Sequence, residues 1–293
     1  MALRRFVHII LNPTAGARRR SLLDAVVGRL RAAGADVTVE LTTAPGHATD
    51  LARAAARSGK ADVIVAAGGD GTINEVARGL LGQGVPLGIL PLGTANVLAI
   101  EIGLRPRAED VASMLLGGPA ELIGTGLVQG KIFLMMVGIG FDGEIVHGID
   151  PRLKRLWGKG AFIWSGLKVW ARGPAHGIRL NVDGKEKHAA WAIVVNGRHY
   201  AGPFVLAPDE NITQPGLSLF LFRKKSRFAF AVYLAALGLG MVPGLRSVEV
   251  LRVRHIDVLE PEGLAVEVDG DERGHLPQTI EQGMQFLRLV IPG

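Results

Sequence analysis

Val63-Ile64-Val65-Ala66-Ala67-Gly68-Gly69-Asp70-Gly71-Thr72-Ile73-Asn74-Glu75-Val76 is an apolar run that breaks into glycines and resumes as a helical pattern. An apolar run this short, closed by glycines, reads as a buried strand. The glycines permit a tight turn and a close backbone approach to a ligand. Thr72 is placed to cap the helix, with Glu75 as its reciprocal partner in a capping box. A glycine turn at a helix N-terminus suits phosphate. Asp70, the acid inside the turn, repels phosphate unless a cation or a transferable proton sits there too. The stretch therefore points to a metal-nucleotide.

The same alternation extends on both sides. Arg5 to Leu11 reads as a strand ending at the turn Asn12-Pro13-Thr14-Ala15-Gly16. Leu22, Leu23, Val26, Val27 and Leu30 follow at helical spacing, and Gly34 stops that helix. Asp36 to Leu41 alternates as a strand and ends at Thr42. Residues 47–58 are an alanine-rich helix. After the central stretch, whose helix reads as 73–81, Pro86 to Leu90 is another apolar strand. It ends at Pro91-Leu92-Gly93-Thr94-Ala95-Asn96, and helical segments 97–102 and 108–116 follow. Short apolar strands alternating with helices imply a doubly wound parallel sheet. Ligands of such sheets sit at the strands' carboxyl ends, where Asn12–Gly16, Thr42, Gly68–Thr72 and Gly93–Asn96 all lie.

Past residue 120 strand patterns dominate, over 131–138, 177–183, 189–196, 216–222, 247–259, 264–268 and 284–291. Turn signals such as Asp183-Gly184 and Asp269-Gly270 separate them. The fold class expected is α/β, with an N-terminal parallel-sheet domain (1–122) and a C-terminal β-rich, sandwich-like domain (123–293). The last segment is a candidate to return to the first domain.

With 293 residues the chain can bury two cores, and 48% hydrophobic against 20% charged residues is globular. The absence of cysteine excludes disulfides and thiolate metal sites. A formal charge of +6 favours anionic partners. There is no Gly-x-x-x-x-Gly-Lys-Ser/Thr loop, no Gly-x-Ser-x-Gly elbow and no zinc-ligand spacing. Gly138-Ile139-Gly140-Phe141-Asp142-Gly143 matches Gly-x-Gly-x-x-Gly but lacks the acid about 20 residues on that a dinucleotide site needs. Residues 152–172 hold six basic residues, no acid, and Trp157, Trp164 and Trp170, a pattern that fits either contact with an anionic membrane or a helix that packs its tryptophans on the sheet and solvates its lysines. Phe228 to Leu245 is uncharged and apolar but interrupted by glycines and Pro243, so it reads as a buried or lipid-facing helix.

Taken together, Asn12-Pro13-Thr14-Ala15-Gly16, Gly68 to Glu75 and Pro91-Leu92-Gly93-Thr94-Ala95-Asn96 resemble the diacylglycerol, sphingosine and ceramide kinase family, in its soluble bacterial lipid kinase branch. Gly-Gly-Asp-Gly alone is shared with NAD kinases and phosphofructokinases; the Asn-Pro and Pro-Leu-Gly-Thr turns narrow the likeness to the lipid branch. The resemblance extends into the second half through Asn196, Tyr200-Ala201-Gly202-Pro203-Phe204 and Val268-Asp269-Gly270. It implies ATP in a cleft between two domains and transfer of its γ-phosphoryl group to a lipid hydroxyl. It assigns ATP to Asn12, Thr42, Gly68, Gly69, Asp70, Gly71, Thr72, Ile73, Asn74, Glu75, Gly93, Thr94 and Asn96. Mg²⁺ would face Asp70 and Asp142.

Three departures stand against that pattern. The family's usual general base is the glutamate of Asp-Gly-Glu, and this chain has Asp271 there, followed by Glu272. Asp271 is the expected proton acceptor, with Asp70 the second catalytic residue. The family's Asp-Gly-Leu, which holds a structural Mg²⁺, is Gln214-Pro215-Gly216-Leu217, so that metal site is expected to be weak or lost. An Asp-x-Gly is replaced by Gly124-Thr125-Gly126. The protein is expected to be cytoplasmic, peripheral on the inner face of the membrane, with a lipid substrate and no nucleic acid partner. Two other readings stay open: a nucleotide-binding regulatory protein without kinase activity, and a kinase of a soluble hydroxylated substrate.

Overall fold

The structure is a computed structural model that describes residues 3–16, 19–140, 177–214, 216–284 and 287–293. The chain divides into two compact units, Met1–Gly124 with Met284–Gly293, and Thr125–Gly283.

In chain order the first unit comprises β1 (Phe6–Leu11), a single helical turn α1 (Pro13–Gly16), α2 (Arg20–Ala32), β2 (Asp36–Leu41), α3 (His47–Arg57) and β3 (Val63–Gly68). It continues with α4 (Asp70–Leu80), β4 (Leu87–Pro91), α5 (Val97–Glu101), α6 (Ala108–Gly117) and β5 (Ala120–Ile123). The sheet order is β2-β1-β3-β4-β20-β5, where β20 is Leu287–Val290. The pairings from β2 to β20 are parallel, and β20 pairs antiparallel with β5. Every residue of β3 is buried, as expected of a central strand covered on both faces. α2 packs against α6 and α3 against α4. Right-handed crossovers put these two pairs on opposite faces of the sheet.

Because β1 to β4 run parallel, the segments after Leu11, Leu41, Gly68 and Pro91 all leave the sheet at one edge. The sequence pattern places the strands well and misses two helix starts. α4 begins at Asp70 rather than Ile73, and the Asn12–Gly16 turn contains α1.

The second unit contains β6 (Gly126–Val128), β7 (Lys131–Phe133), β8 (Met136–Ile139), β9 (Ile178–Val182), β10 (Lys185–Ala189) and β11 (Trp191–Val195). A small hairpin of β12 (His199–Tyr200) and β13 (Phe204–Val205) precedes β14 (Leu217–Phe222) and α7 (Arg227–Gly238). Then come β15 (Val248–Val253), β16 (His255–Glu260), β17 (Ala265–Val268), β18 (Asp271–His275) and β19 (Gln278–Gln282). They form two six-stranded antiparallel sheets, β10-β9-β16-β19-β6-β7 and β15-β14-β11-β8-β17-β18. Two runs that read as single strands are each split between the sheets. Leu134-Met135 separates β7 from β8, and Arg254 separates β15 from β16. A chain that changes sheet at a bend lets one apolar run serve both layers of a sandwich.

α7 covers one end of the second sheet through a single aromatic cluster. Trp191 on β11 lies 4.3 Å from Phe222 on β14 and 5.3 Å from Phe230, ring centre to ring centre. Tyr233 stands 5.0 Å from Phe222. These are spacings at which aromatic pairs attract beyond their burial. Among the described residues no helix is long and apolar enough to cross a membrane. Asp142, Pro215 and the basic, tryptophan-bearing segment 152–172 lie outside the described residues.

Candidate functional site

The site is assembled where β1, β2, β3 and β4 end. Gly68 closes β3 against Pro91 of β4. A Cβ on Gly68 would lie 2.5 Å from Thr72 Oγ1, and one on Gly93 would lie 2.5 Å from Gly69 Cα. Thr72 leaves no room for a side chain at Gly68, and the two turns approach too closely for one at Gly93. What remains is an open backbone cradle at the start of α4, where the first N–H groups have no partner within the helix and the helix dipole is positive.

Asp70 joins the two turns. Its carboxylate accepts N–H bonds from Asn96 at 2.9 Å and Val97 at 2.7 Å. Asn96 has a left-handed backbone, φ 51°, and its side chain closes a ring on Gly93, accepting from its N–H and donating to its carbonyl. The acid that looked isolated in sequence is thus met by the N-terminal backbone of α5. Charge repulsion toward phosphate is reduced before any cation arrives. Asp70 is a clamp as well as a candidate metal ligand.

Asn12 performs the same service on the other side. Its Oδ1 accepts from Thr14 N at 3.1 Å and Thr14 Oγ1 at 2.7 Å, while its Nδ2 donates to Thr72 Oγ1 at 3.1 Å. Thr72 therefore does not cap α4: the N-cap is Gly69 and no side chain caps it. Glu75 departs from the expected capping box too. Its carboxylate accepts from Gly46 N at 2.9 Å and Ala48 N at 3.3 Å. It caps α3 instead of its own helix, because α3 packs directly against α4 and presents its open N–H groups there. Ile73 and Asn74 are buried in α4. Thr42 sits half-buried at the end of β2 with its N–H on Leu11 O, and Thr94 is exposed in the β4–α5 turn. Arg19, which the sequence reading passed over, donates to Pro91 O at 3.1 Å and so sets a guanidinium at the end of β4. The signal was the arginine run Arg18-Arg19-Arg20 after the Asn-Pro turn.

In the second unit Asp269 and Gly270 make the two-residue turn between β17 and β18, both with positive φ. The Asp269 carboxylate accepts N–H bonds from Leu134, Met135 and Met136 at 2.8–2.9 Å. Asn196 fixes the same segment by donating to Leu134 O at 2.8 Å. Asp271 follows directly, half-buried at the start of β18. Its position is set by an anchored hairpin, which suits a group that must be held in place.

The structural Mg²⁺ implied by the resemblance does not fit the residues present. Glu210 accepts from Ser218 Oγ at 2.5 Å and pairs with the Arg252 guanidinium. A Cβ on Gly216 would lie 2.7 Å from Arg252 Nη2. An arginine thus supplies positive charge to the only carboxylate of the 210–217 loop. Gln214 and Gly216 bring no carboxylate, and a divalent ion would compete with that guanidinium.

Two domain profiles match the chain: the Diacylglycerol kinase catalytic domain over residues 6–128, and the YegS C-terminal NAD kinase beta sandwich-like domain over 135–291. The diacylglycerol kinase of Bacillus subtilis (strain 168) is 30% identical over 293 residues, covering 97% of this chain and 95% of the relative. The chain belongs to the diacylglycerol kinase family. Within it, a relative in Chromohalobacter salexigens, named by likeness a YegS-like lipid kinase, is 36% identical over 203 residues and covers 67% of this chain and 65% of its own. The crystal structure of a candidate diacylglycerol kinase from Bacillus anthracis str. Sterne superposes with a TM-score of 0.82 at 25% identity, covering 99% of this chain and 96% of that one. This diacylglycerol kinase family member therefore belongs to a family of kinases, and it has the α/β plus β-sandwich architecture expected.

Proposed function

We propose that this protein transfers the γ-phosphoryl group of ATP to a hydroxyl of a diacylglycerol-like lipid. The observation that carries the reading is the Asp70 clamp. It holds the Gly68–Gly71 and Gly93–Asn96 turns together as a backbone cradle with no room for a side chain at Gly68 or Gly93. Such a cradle accepts phosphate oxygens through N–H groups and a helix N-terminus. Asn12, Thr94 and Arg19 border it, and Thr42 ends β2 at the same edge of the sheet. ATP would supply the phosphoryl group and its Mg²⁺ would neutralise charge on the phosphates; Asp70 is the described residue that would hold the ion, with Asp142 the second candidate from sequence. Phosphoryl transfer needs little from a protein beyond position and charge, plus one group to orient the nucleophile and take its proton. Asp271 has that role in our reading. Its carboxylate is one methylene shorter than glutamate, and a base must come within hydrogen-bond reach of the hydroxyl proton, directly or through one water.

The test is labelled ATP against a panel of lipids that includes diacylglycerol, with soluble alcohols and nucleotides beside them. Phosphorylated lipid is expected. Asp271→Asn should lower kcat by about 10²–10⁴-fold and leave the ATP Kd within about twofold, whereas Asp271→Glu should retain transfer. Equal rates for Asp271→Asn and the parent would remove the base assignment. Tight ATP binding with no product on any acceptor would favour the regulatory reading that the shortened base motivates.

A further inference from the structure

α7 presents two apolar faces, and among the described residues only one is buried. Ala229, Phe230, Tyr233 and Ala236 are buried toward Trp191 and Phe222. The opposite face carries Phe228, Val232 and Leu239, one above the other at helical spacing, with Leu234 and Met241 at its flanks. Phe228 is 79% exposed, Leu239 73% and Met241 61%. Single exposed apolar residues are ordinary; a contiguous patch of large ones marks a contact surface.

Charge decides what the contact is with. There is no Asp or Glu between Glu210 and Glu249. In that interval Lys224, Lys225 and Arg227 are exposed at the start of α7, and Arg246 is exposed just beyond its end. A second copy of this chain docking about a two-fold axis would bring this same face, and these same cations, against each other. An anionic surface meets them favourably. Length decides how the helix sits. Its 12 residues span about 18 Å, against roughly 30 Å of bilayer hydrocarbon, so it lies along the membrane interface rather than across it.

We propose that the outward face of α7 is a membrane-docking surface. Phe228, Val232 and Leu239 bed into the acyl boundary of an anionic phospholipid leaflet, and Lys224, Lys225, Arg227 and Arg246 sit among its headgroups. Apolar burial then supplies retention, and the cations supply selectivity and a salt-sensitive approach.

The surface is tested without ATP or diacylglycerol, so a protein that phosphorylated no lipid could still pass. The full chain is floated with vesicles of phosphatidylglycerol and phosphatidylcholine, and with phosphatidylcholine alone. Binding to the anionic vesicles is expected, weakening as salt rises. Phe228→Ser with Leu239→Ser should reduce it at least tenfold, and Lys224→Glu with Lys225→Glu should erase the anionic preference. The chain has no cysteine, so Phe228→Cys takes a single environment-sensitive dye. Its emission should shift to the blue on anionic vesicles, and this readout serves even if the double serine variant fails to fold. Unchanged emission at position 228, or full flotation by a folded double serine variant, overturns the proposal. So does a parent dimer that the serine substitutions dissolve, since the face would then belong to a second copy.

Discussion

Glu75 and Arg252 show what single residues settle and what sequence proximity conceals. Glu75 stands three residues after Thr72, the spacing of a capping box, yet it caps α3 through Gly46 and Ala48. No pattern along the chain announces a partner 27–29 residues away. Arg252 is equally silent in sequence. It becomes meaningful only when β15 pairs with β14 and brings it to Gly216 and Glu210. The missing aspartate at Pro215 was legible; the cation that takes the metal's place was not. The consequence is measurable. Thermal unfolding of the second unit should be indifferent to EDTA and to added Mg²⁺. Arg252→Ala should cost about 1 kcal/mol, since the guanidinium is half exposed and screened by solvent, and Mg²⁺ should not restore it. A melting point that falls on chelation would show that a metal holds this loop after all.

The strand ends with their glycine turns were readable because each turn follows an apolar run and needs residues of a special kind. The clamp between the turns was not, since Asp70 and Asn96 meet only once β3 and β4 are neighbours. Among elements of the second unit the edges of the two sheets are tied by charge. Glu249 on β15 accepts from Arg223, which follows β14, at 2.8 Å, and from Lys187 on β10 at 2.7 Å. Arg223 first, and Lys187 next, hold the Glu249 carboxyl below the ordinary glutamate range. The folded state therefore favours the ionised form. Its contribution is present above the unfolded pKa, about 4.3, and is lost as pH falls through the lower folded value. Solvent reaches these groups, so the pair contributes below about 1 kcal/mol. Denaturant midpoints should fall for Glu249→Gln at pH 7, and the gap from the parent should close by pH 3. A gap independent of pH would separate Glu249 from the acid limb.

For the whole molecule, two domains and their classes followed from strand and helix periodicities, and a returning last segment was one expectation. The periodicities could not place it, because a short apolar strand carries no label for its partner. Leu287–Val290 is that segment, lying between β4 and β5 with Leu287, Leu289 and Val290 buried. Deleting residues 284–293 strips β4 and β5 of their shared neighbour. Losing three buried aliphatic side chains costs about 5 kcal/mol or more, on the order of a domain's whole stability. The truncated chain should keep the antiparallel signature of its second unit and lose the protease resistance of its first; equal resistance would show that β20 is dispensable. The same strand sets a timetable for the ribosome. At about 5–20 residues per second, the sheet that is begun first waits roughly 10–30 s for its sixth strand. Through that interval β4 offers an open, wholly apolar edge, so the nascent chain's hazard is a borrowed strand from a neighbour on the same message.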